Sequence, residues 1–348
     1  MKYSRVQVAT IGYELAPIVV TSAELEEQLC PVYESLHIAP GQLESLTGIL
    51  ERRWWPDGHR LSDGAIAAAR KALAQSGIHP EEIGAVVYTG VGRDNFEPAT
   101  ACRVAAELGI GGNAFIYDIS NACLGVLNGM LDIANRIELG QIRAGLVVSC
   151  ETARDIVEET IAHMLQHRTM DTFIKSLATM TGGSGAVAVL LTDASFELPT
   201  PAHRLRGGTA CAAPEHHGLC HWGLRDLGEG LRKQEMTTDA VNVLKYGVEL
   251  GVKTWNAFLA EQQWKKEDVD KVICHQVGQA NKDAILKSIG VPESKDFVTF
   301  PFLGNMGTVS LPITTAIAAE RGFLRPGDRV GLLGIGSGLN CMMLALEW

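Results

Sequence analysis

Apolar residues recur along this chain with two periods, and each change of period marks an element. Short apolar runs at 6–11, 83–88 and 114–119 predict strands. The run Ile83-Gly84-Ala85-Val86-Val87-Tyr88 is uniform enough for a strand buried on both faces. After the third run the spacing turns helical, with Leu124, Val126, Leu127, Met130, Leu131, Ile133, Ala134 and Ile137 on one face. Thr21 and Glu24 have the spacing of a capping box, which predicts a helix running on to residue 36. Ser62 predicts the start of another, over 63–75, with alanines on its inner face.

The pattern also repeats. Glu81-Glu82-Ile83-Gly84-Ala85-Val86-Val87-Tyr88 resembles Glu267-Asp268-Val269-Asp270-Lys271-Val272-Ile273-Cys274, and the two segments start 186 positions apart (267 − 81). The same separation pairs Arg143-Ala144-Gly145-Leu146-Val147-Val148 with Arg329-Val330-Gly331-Leu332-Leu333-Gly334 (329 − 143). Two matches at one separation predict two similar halves, 1–195 and 196–348, each alternating helix and strand around a mostly parallel sheet. Between them, 195–238 is richer in Pro, Gly and His with weak periodicity, as expected of a connection with an insertion. Its His216-His217-Gly218-Leu219-Cys220-His221 has metal-capable side chains but neither CxxC nor HxxxH spacing, so no metal site is expected there.

The repeat bears on the chemistry. Cys123 stands between a strand and a helix, where unpaired amides and the helix dipole favour a thiolate nucleophile. Free cysteine is also among the most buried residue types, so packing is the competing reading. Adding 186 to 123 reaches Val309, just after Gly304-Asn305-Met306-Gly307, and adding it to Thr89 reaches His275. Ligands of open parallel sheets collect beyond the carboxyl ends of strands. Two halves packed about a pseudo-two-fold axis therefore bring Cys123, His275 and Asn305 together. Arg52, Arg53 and Trp54 are candidates to anchor a phosphate and stack a base, or else form a half-buried surface patch.

Composition narrows the classes. A chain of 348 residues, 46% hydrophobic and 20% charged, has the make-up of a soluble globular protein with a sizeable core. Its net charge of -10 argues against nucleic acid as the main partner. The N-terminus lacks the apolar core of a signal peptide and no uninterrupted apolar window is long enough to span a membrane, so a cytoplasmic protein is expected. Eight cysteines without a CxxC pair fit reduced thiols better than a disulfide framework.

Cys123 at a helix start, His275 in Cys274-His275-Gln276-Val277, Asn305 between glycines and the terminal Gly334-Ile335-Gly336-Ser337-Gly338 resemble the thiolase-type condensing enzymes. Within these the chain is similar to the ketoacyl-ACP synthase III group, and most of all to the acyl-condensing enzymes of long-chain olefin biosynthesis. The resemblance runs nearly end to end. It implies an α/β thiolase fold in five layers, αβαβα, a homodimer, and a Claisen condensation of acyl thioesters through an acyl group on Cys123. Coenzyme A thioesters are then substrates, and neither a cofactor nor a metal is implied. The resemblance gives the backbone amides of Cys123 and Ser337 to the oxyanion, and His275 and Asn305 to the carbonyl of the second thioester.

How the carbanion arises separates the subgroups. A malonyl thioester supplies it by losing carbon dioxide, whereas an unactivated acyl thioester needs a general base at its α-carbon. Ketoacyl-ACP synthase III enzymes typically carry, before the proline of Arg93-Asp94-Asn95-Phe96-Glu97-Pro98, a phenylalanine that reaches into the partner's acyl pocket, and this chain has Glu97, matching the base of the olefin-biosynthesis enzymes. Set against an apolar acyl tunnel, such a carboxylate would have a raised pKa. The Trp and Arg that grip coenzyme A in the synthase III group are replaced by Gln42 and Leu46. These departures favour malonyl-independent condensation of two fatty acyl-CoA molecules. The alternatives are decarboxylative condensation of acyl-CoA with malonyl-ACP, which would make an acyl carrier protein a partner, and an inactive acyl-binding subunit.

Overall fold

The computed structural model describes residues 1–226, 228 and 232–348. Its core holds nine strands: β1 (Gln7–Leu15), β2 (Ile83–Thr89), β3 (Phe115–Ile119), β4 (Ala144–Glu151), β5 (Gly185–Thr192), β6 (His203–Ala212), β7 (Lys271–Cys274), β8 (Arg329–Gly336) and β9 (Asn340–Glu347). They pair in the order β7-β8-β9-β6-β1-β5-β4-β2-β3. The β6–β1 link is thin, joining only Gln7 to Arg204 and Val8 to His203. The sheet divides there into two leaves.

Three helix layers cover those leaves. Along β4, Leu146 and Val148 point into one apolar cluster and Val147 into another, so both faces are buried. The outer cluster joins the first leaf to α1 (Leu61–Ser76) and α2 (Thr100–Leu108). The central cluster holds α3 (Gly125–Glu138) and α6 (Ser310–Glu320) between both leaves, with Leu127, Ile133, Leu311 and Ile317 meeting Val187 of one leaf and Leu344 of the other. The far face of the second leaf is covered by α4 (Ala240–Gln262) and α5 (Gln279–Ile289) through Phe258 and Leu286. The order is αβαβα, the five layers of the thiolase fold.

The repeat is real in space. β2 and β4 pair in parallel, as do β7 and β8, while β4 then pairs antiparallel with β5 and β8 with β9. The sheet is therefore mixed where a mostly parallel one is expected: β8 and β9 are joined by the short turn 337–339, and a short turn can only join antiparallel strands. Among the described residues the second leaf has, in place of a full counterpart of β3, a parallel bridge from Asp296 to Val272. Either side of residue 195 the chain leaves the first leaf at β5 and enters the second at β6.

Three local expectations need correction. The Thr21–Glu24 capping box forms, but the helix it starts ends at Gln28, and a second one, Cys30–Leu36, begins with Pro31 in its first turn. Ser62 lies inside α1 and its hydroxyl bonds Asp94 instead of capping. The segment 195–238 is not merely an insertion, because it contains the core strand β6 before a ribbon of Cys220–Asp226 with Arg232–Thr238.

Candidate active site

Cys123 lies in the 3-10 turn Ala122–Leu124, two residues ahead of α3. Ala122 has φ +43, a left-handed conformation that costs a residue with a side chain about 1–3 kcal/mol and persists only where its surroundings dictate it. Here they do. Leu124 N donates to Asn121 O at 2.9 Å, Asn340 Nδ2 to Asn121 Oδ1 at 3.2 Å, and Asn121 Nδ2 to Asn128 Oδ1 at 2.8 Å. The end of β8 lies against the cysteine, where a Cβ on Gly336 would stand 3.4 Å from Cys123 N. A Cβ there would press only on Leu124, at 3.3 Å from its Cγ.

The facing turn comes from the second half, as the repeat predicts. Val126 N donates to Thr308 Oγ1 at 2.7 Å, seating the 304–309 turn on the start of α3. Asn305 is fixed by its backbone, which donates to Thr181 O at 2.8 Å and accepts from Gly183 N at 2.9 Å. Its side-chain oxygen accepts from Gly307 N at 3.1 Å. The carboxamide nitrogen is thus the group left to donate to a ligand.

His275 follows β7 and donates its backbone N–H to Leu333 O of β8 at 2.9 Å. Its ring is buried, and burial pushes its pKa down to about 4, so it is neutral at ordinary pH. Gln276, outside every sequence candidate, ties the two loops together. Its Nε2 donates to Cys274 O at 2.6 Å, and its Oε1 accepts from Thr299 N at 2.8 Å and Phe300 N at 3.1 Å, just ahead of the Asn305 turn. A glutamine beside a histidine at a strand end is the only local signal it offers.

The expectation of a dipole-stabilised thiolate does not survive. Cys123 has its pKa pushed up to about 12, first by burial and then by the nearby carboxylate of Glu151, with Cys220 adding to it. Burial disfavours the charged thiolate, and the helix proper starts only two residues later. Glu151, at the end of β4, is itself pushed up to about 7 by burial, with backbone amides pulling the other way. A lone acid closing an apolar strand was the sequence signal for it.

Other sequence candidates fall elsewhere. Arg52 is fully buried and spends its guanidinium on Ser22 Oγ (3.1 Å) and Met180 O (3.2 Å), so it cannot meet a phosphate. Its Cβ lies where a Cβ on Gly304 would come within 3.1 Å, under the Asn305 turn. Trp54 is buried too, and Arg53 is half-buried with its backbone O accepting from Ser184 N at 2.8 Å. The segment scaffolds the turn. Glu97 is exposed, beside a wholly exposed Phe96, so the apolar tunnel expected around it is not formed within its own chain. His216 stacks on Tyr246 at 3.9 Å, and no cluster of His, Cys, Asp and Glu suited to a metal occurs among the described residues.

A duplicated five-layer α/β core with a cysteine turn and a glycine-flanked asparagine turn packed together at its centre defines a thiolase-superfamily condensing enzyme, an acyltransferase. Residues 259–348 match the family model "3-Oxoacyl-[acyl-carrier-protein (ACP)] synthase III C terminal". The acyl-CoA:acyl-CoA alkyltransferase of Shewanella oneidensis is 61% identical, with 100% of both chains covered. That of Xanthomonas campestris is 38% identical, again over 100% of both. A crystal structure of an OleA cysteine-to-serine variant from Xanthomonas campestris, with bound lauric acid and lauroyl-CoA, superposes with a TM-score of 0.92 at 37% identity, covering 99% of this chain and 100% of that one. The chain belongs to the acyl-CoA:acyl-CoA alkyltransferase family, the OleA enzymes.

Proposed function

We propose that this chain joins two fatty acyl-CoA molecules head to head, without malonyl-CoA or malonyl-ACP, to give a β-ketoacyl thioester. The observation that carries the reading is the seating of the Asn305 turn on the start of the helix after Cys123, with the Asn305 carboxamide nitrogen left to donate and a buried, neutral His275 after the strand that pairs with the one reaching Cys123. Likeness to alkyltransferases over the whole chain supports acyl-CoA as both substrates.

In the first stage the Cys123 sulfur attacks the acyl-CoA carbonyl, the thioester bond to coenzyme A breaks, and the thiol proton leaves with the coenzyme. The amides of Cys123 and Ser337 hold the oxyanion. In the second stage His275 and Asn305 donate to the carbonyl oxygen of another acyl-CoA, so the charge of its enolate gathers on that oxygen. Glu97 takes the α-proton. The enolate carbon attacks the acyl-Cys123 carbonyl, the carbon–sulfur bond breaks, and the sulfur regains a proton. Because Glu97 is exposed on its own chain, we place it in the site of a second copy within a homodimer. Solved OleA structures include variants of one cysteine, one glutamate and one histidine, the residue types to which these roles fall.

Decarboxylative condensation is the second reading, favoured by the synthase III match over 259–348. Purified protein is given acyl-CoA alone, then acyl-CoA with malonyl-ACP. A β-ketoacyl product from acyl-CoA alone is expected. Product only with malonyl-ACP, with carbon dioxide released, would establish the second reading instead, and no acyl adduct on Cys123 by mass spectrometry would leave a binding subunit.

A further inference from the structure

The loop that carries Glu97 hangs between two helices that do not cap themselves. Neither α1, which follows Arg60, nor α2, which follows Ala99, has a side-chain hydrogen bond from its own N-cap residue. The first amides of a helix need acceptors, and an aspartate is among the best of them. Here both aspartates come from elsewhere in the chain. Asp94, inside the Glu97 loop, accepts from Ser62 N at 3.2 Å on Oδ1 and from the Ser62 hydroxyl on Oδ2. Asp118, in β3, accepts from Thr100 N at 2.9 Å and from Ala101 N at 3.0 Å. The two side chains are 6% and 7% exposed, so water cannot replace these bonds when a carboxylate is removed.

The caps bracket the proposed base. Asp94 N donates to Thr100 Oγ1 at 3.4 Å, closing the loop, and Ser62 and Thr100 are both buried. Arg103 of α2 ties the helix starts together, donating to the Ser62 hydroxyl and pairing with Asp63 at 2.6 Å. Ahead of Asp94 the loop is held as well: the Tyr88 hydroxyl donates to Gly92 O at 3.0 Å and Val91 N to Glu151 Oε1 at 3.0 Å. Between Asp94 and Thr100 the chain stands out, with Asn95, Phe96, Glu97 and Pro98 all exposed. Asp94 and Thr100 are thus the anchored residues on either side of the exposed span.

We propose that Asp94 is a positioning residue for the condensation step: by capping α1 from within the loop, it fixes where Glu97 is presented to a second copy of the chain. The proposal rests on the reading of Glu97 as a base that serves a partner's site. A base must stand within hydrogen-bond reach of the proton it takes, and a misplacement of about 1 Å costs on the order of a hundredfold in rate. Glu97 has no packing of its own to hold it there. The Asp94 carboxylate is taken up by Ser62, with Arg60 at 3.8 Å, so it acts through Glu97.

The test separates the two stages and then mixes chains. Asp94→Ala is expected to acylate Cys123 from acyl-CoA at the parental rate, read as the adduct by mass spectrometry, while β-ketoacyl formation falls about tenfold or more. A protein that is merely destabilised loses both stages together. Exchanged with an equal amount of Cys123→Ala, Asp94→Ala should recover to about a quarter of the parental rate, because about half the dimers then pair its Cys123 with an undisturbed Glu97 loop. Exchanged with Glu97→Gln it should gain nothing, since neither chain offers a well-placed base. Asp94→Asn keeps an acceptor for Ser62 N; it should lose about threefold in condensation and show the same mixing pattern, which carries the test should Asp94→Ala fail to fold. Parental condensation in Asp94→Ala, equal losses in both stages, or recovery with Glu97→Gln would overturn the proposal. The pair Cys123→Ala with Glu97→Gln is the reference. If it recovers and the pair with Asp94→Ala does not, the role of Asp94 alone fails; if it stays inactive, Glu97 does not serve a partner's site and the proposal falls with that reading.

Discussion

At Cys123 and His275 burial acts on two protons in opposite senses, keeping one on sulfur and one off a ring nitrogen. His275, ordinarily titrating at 6.5 and here at about 4, is a neutral donor across the working range. Its titration should therefore leave no inflection in condensation rate between about pH 5 and 8. The same shift has a stability sign. The unfolded chain binds a proton near 6.5 and the folded one only near 4, so the contribution of His275 is complete above 6.5 and is lost as pH falls towards 4. Urea midpoints at pH 7.5 and 4.5 should therefore differ less in His275→Gln than in the parent. That variant should still acylate Cys123, with condensation about a hundredfold or more slower, because the fixed imidazole donor to the enolate oxygen is replaced by a flexible amide. Acylation lost together with condensation would remove His275 from the second stage. Residue type and order exposed Cys123, His275 and Asn305 in the sequence. Gln276 and Glu151 stayed hidden because their work is with backbone amides distant along the chain.

Among the elements, the turn at Gly304 shows how closely the two halves fit. Gly304 has φ +66 and ψ -164, a region open essentially to glycine alone, and a Cβ there would stand 2.6 Å from Thr181 O. Gly304→Ala should cost about 1–3 kcal/mol in backbone strain alone, lowering the urea midpoint, and should slow condensation more than Cys123 labelling. Gly109→Ala is the control: it has φ +72 with nothing within 4 Å, so it should lose about 1 kcal/mol and keep its rate. Equal condensation losses in the two would show that the turn does not place Asn305. The strands β2, β4, β7 and β8 were legible because runs buried on both faces leave an unbroken apolar signature that the duplication prints twice. β6 was not. It carries Arg204, Arg206 and two adjacent glycines, and a Cβ on Gly207 would fall 2.0 Å from Met1 O, a contact set by the N-terminus crossing it from far along the sequence.

For the whole molecule, the exposed stretch around Glu97 carries the largest consequence. Phe96 is 100% exposed and Val91 38% exposed, two apolar side chains left in water in the loop that carries Glu97. The resemblance read from the sequence points the residue before Pro98 into the partner's acyl pocket, and the exposure of Glu97 on its own chain fits that reading. On the proposed reading each Glu97 acts on an acyl group held by the Cys123 of the other copy. Two inactive proteins should then repair one another. Cys123→Ala supplies Glu97 without a nucleophile, and Glu97→Gln supplies Cys123 without a base. After equal amounts are mixed and allowed to exchange, about half the dimers are mixed and each of those has one complete site, so activity should return to about a quarter of the parental value. If Glu97 served its own chain, every site in the mixture would lack either the nucleophile or the base, and activity would stay at the level of the separate variants. A further prediction separates the stages: Glu97→Gln alone should accumulate the acyl-Cys123 adduct from acyl-CoA, since it stops the reaction after the first transfer, and a Glu97→Gln protein that turns over at the parental rate would take Glu97 out of the chemistry altogether.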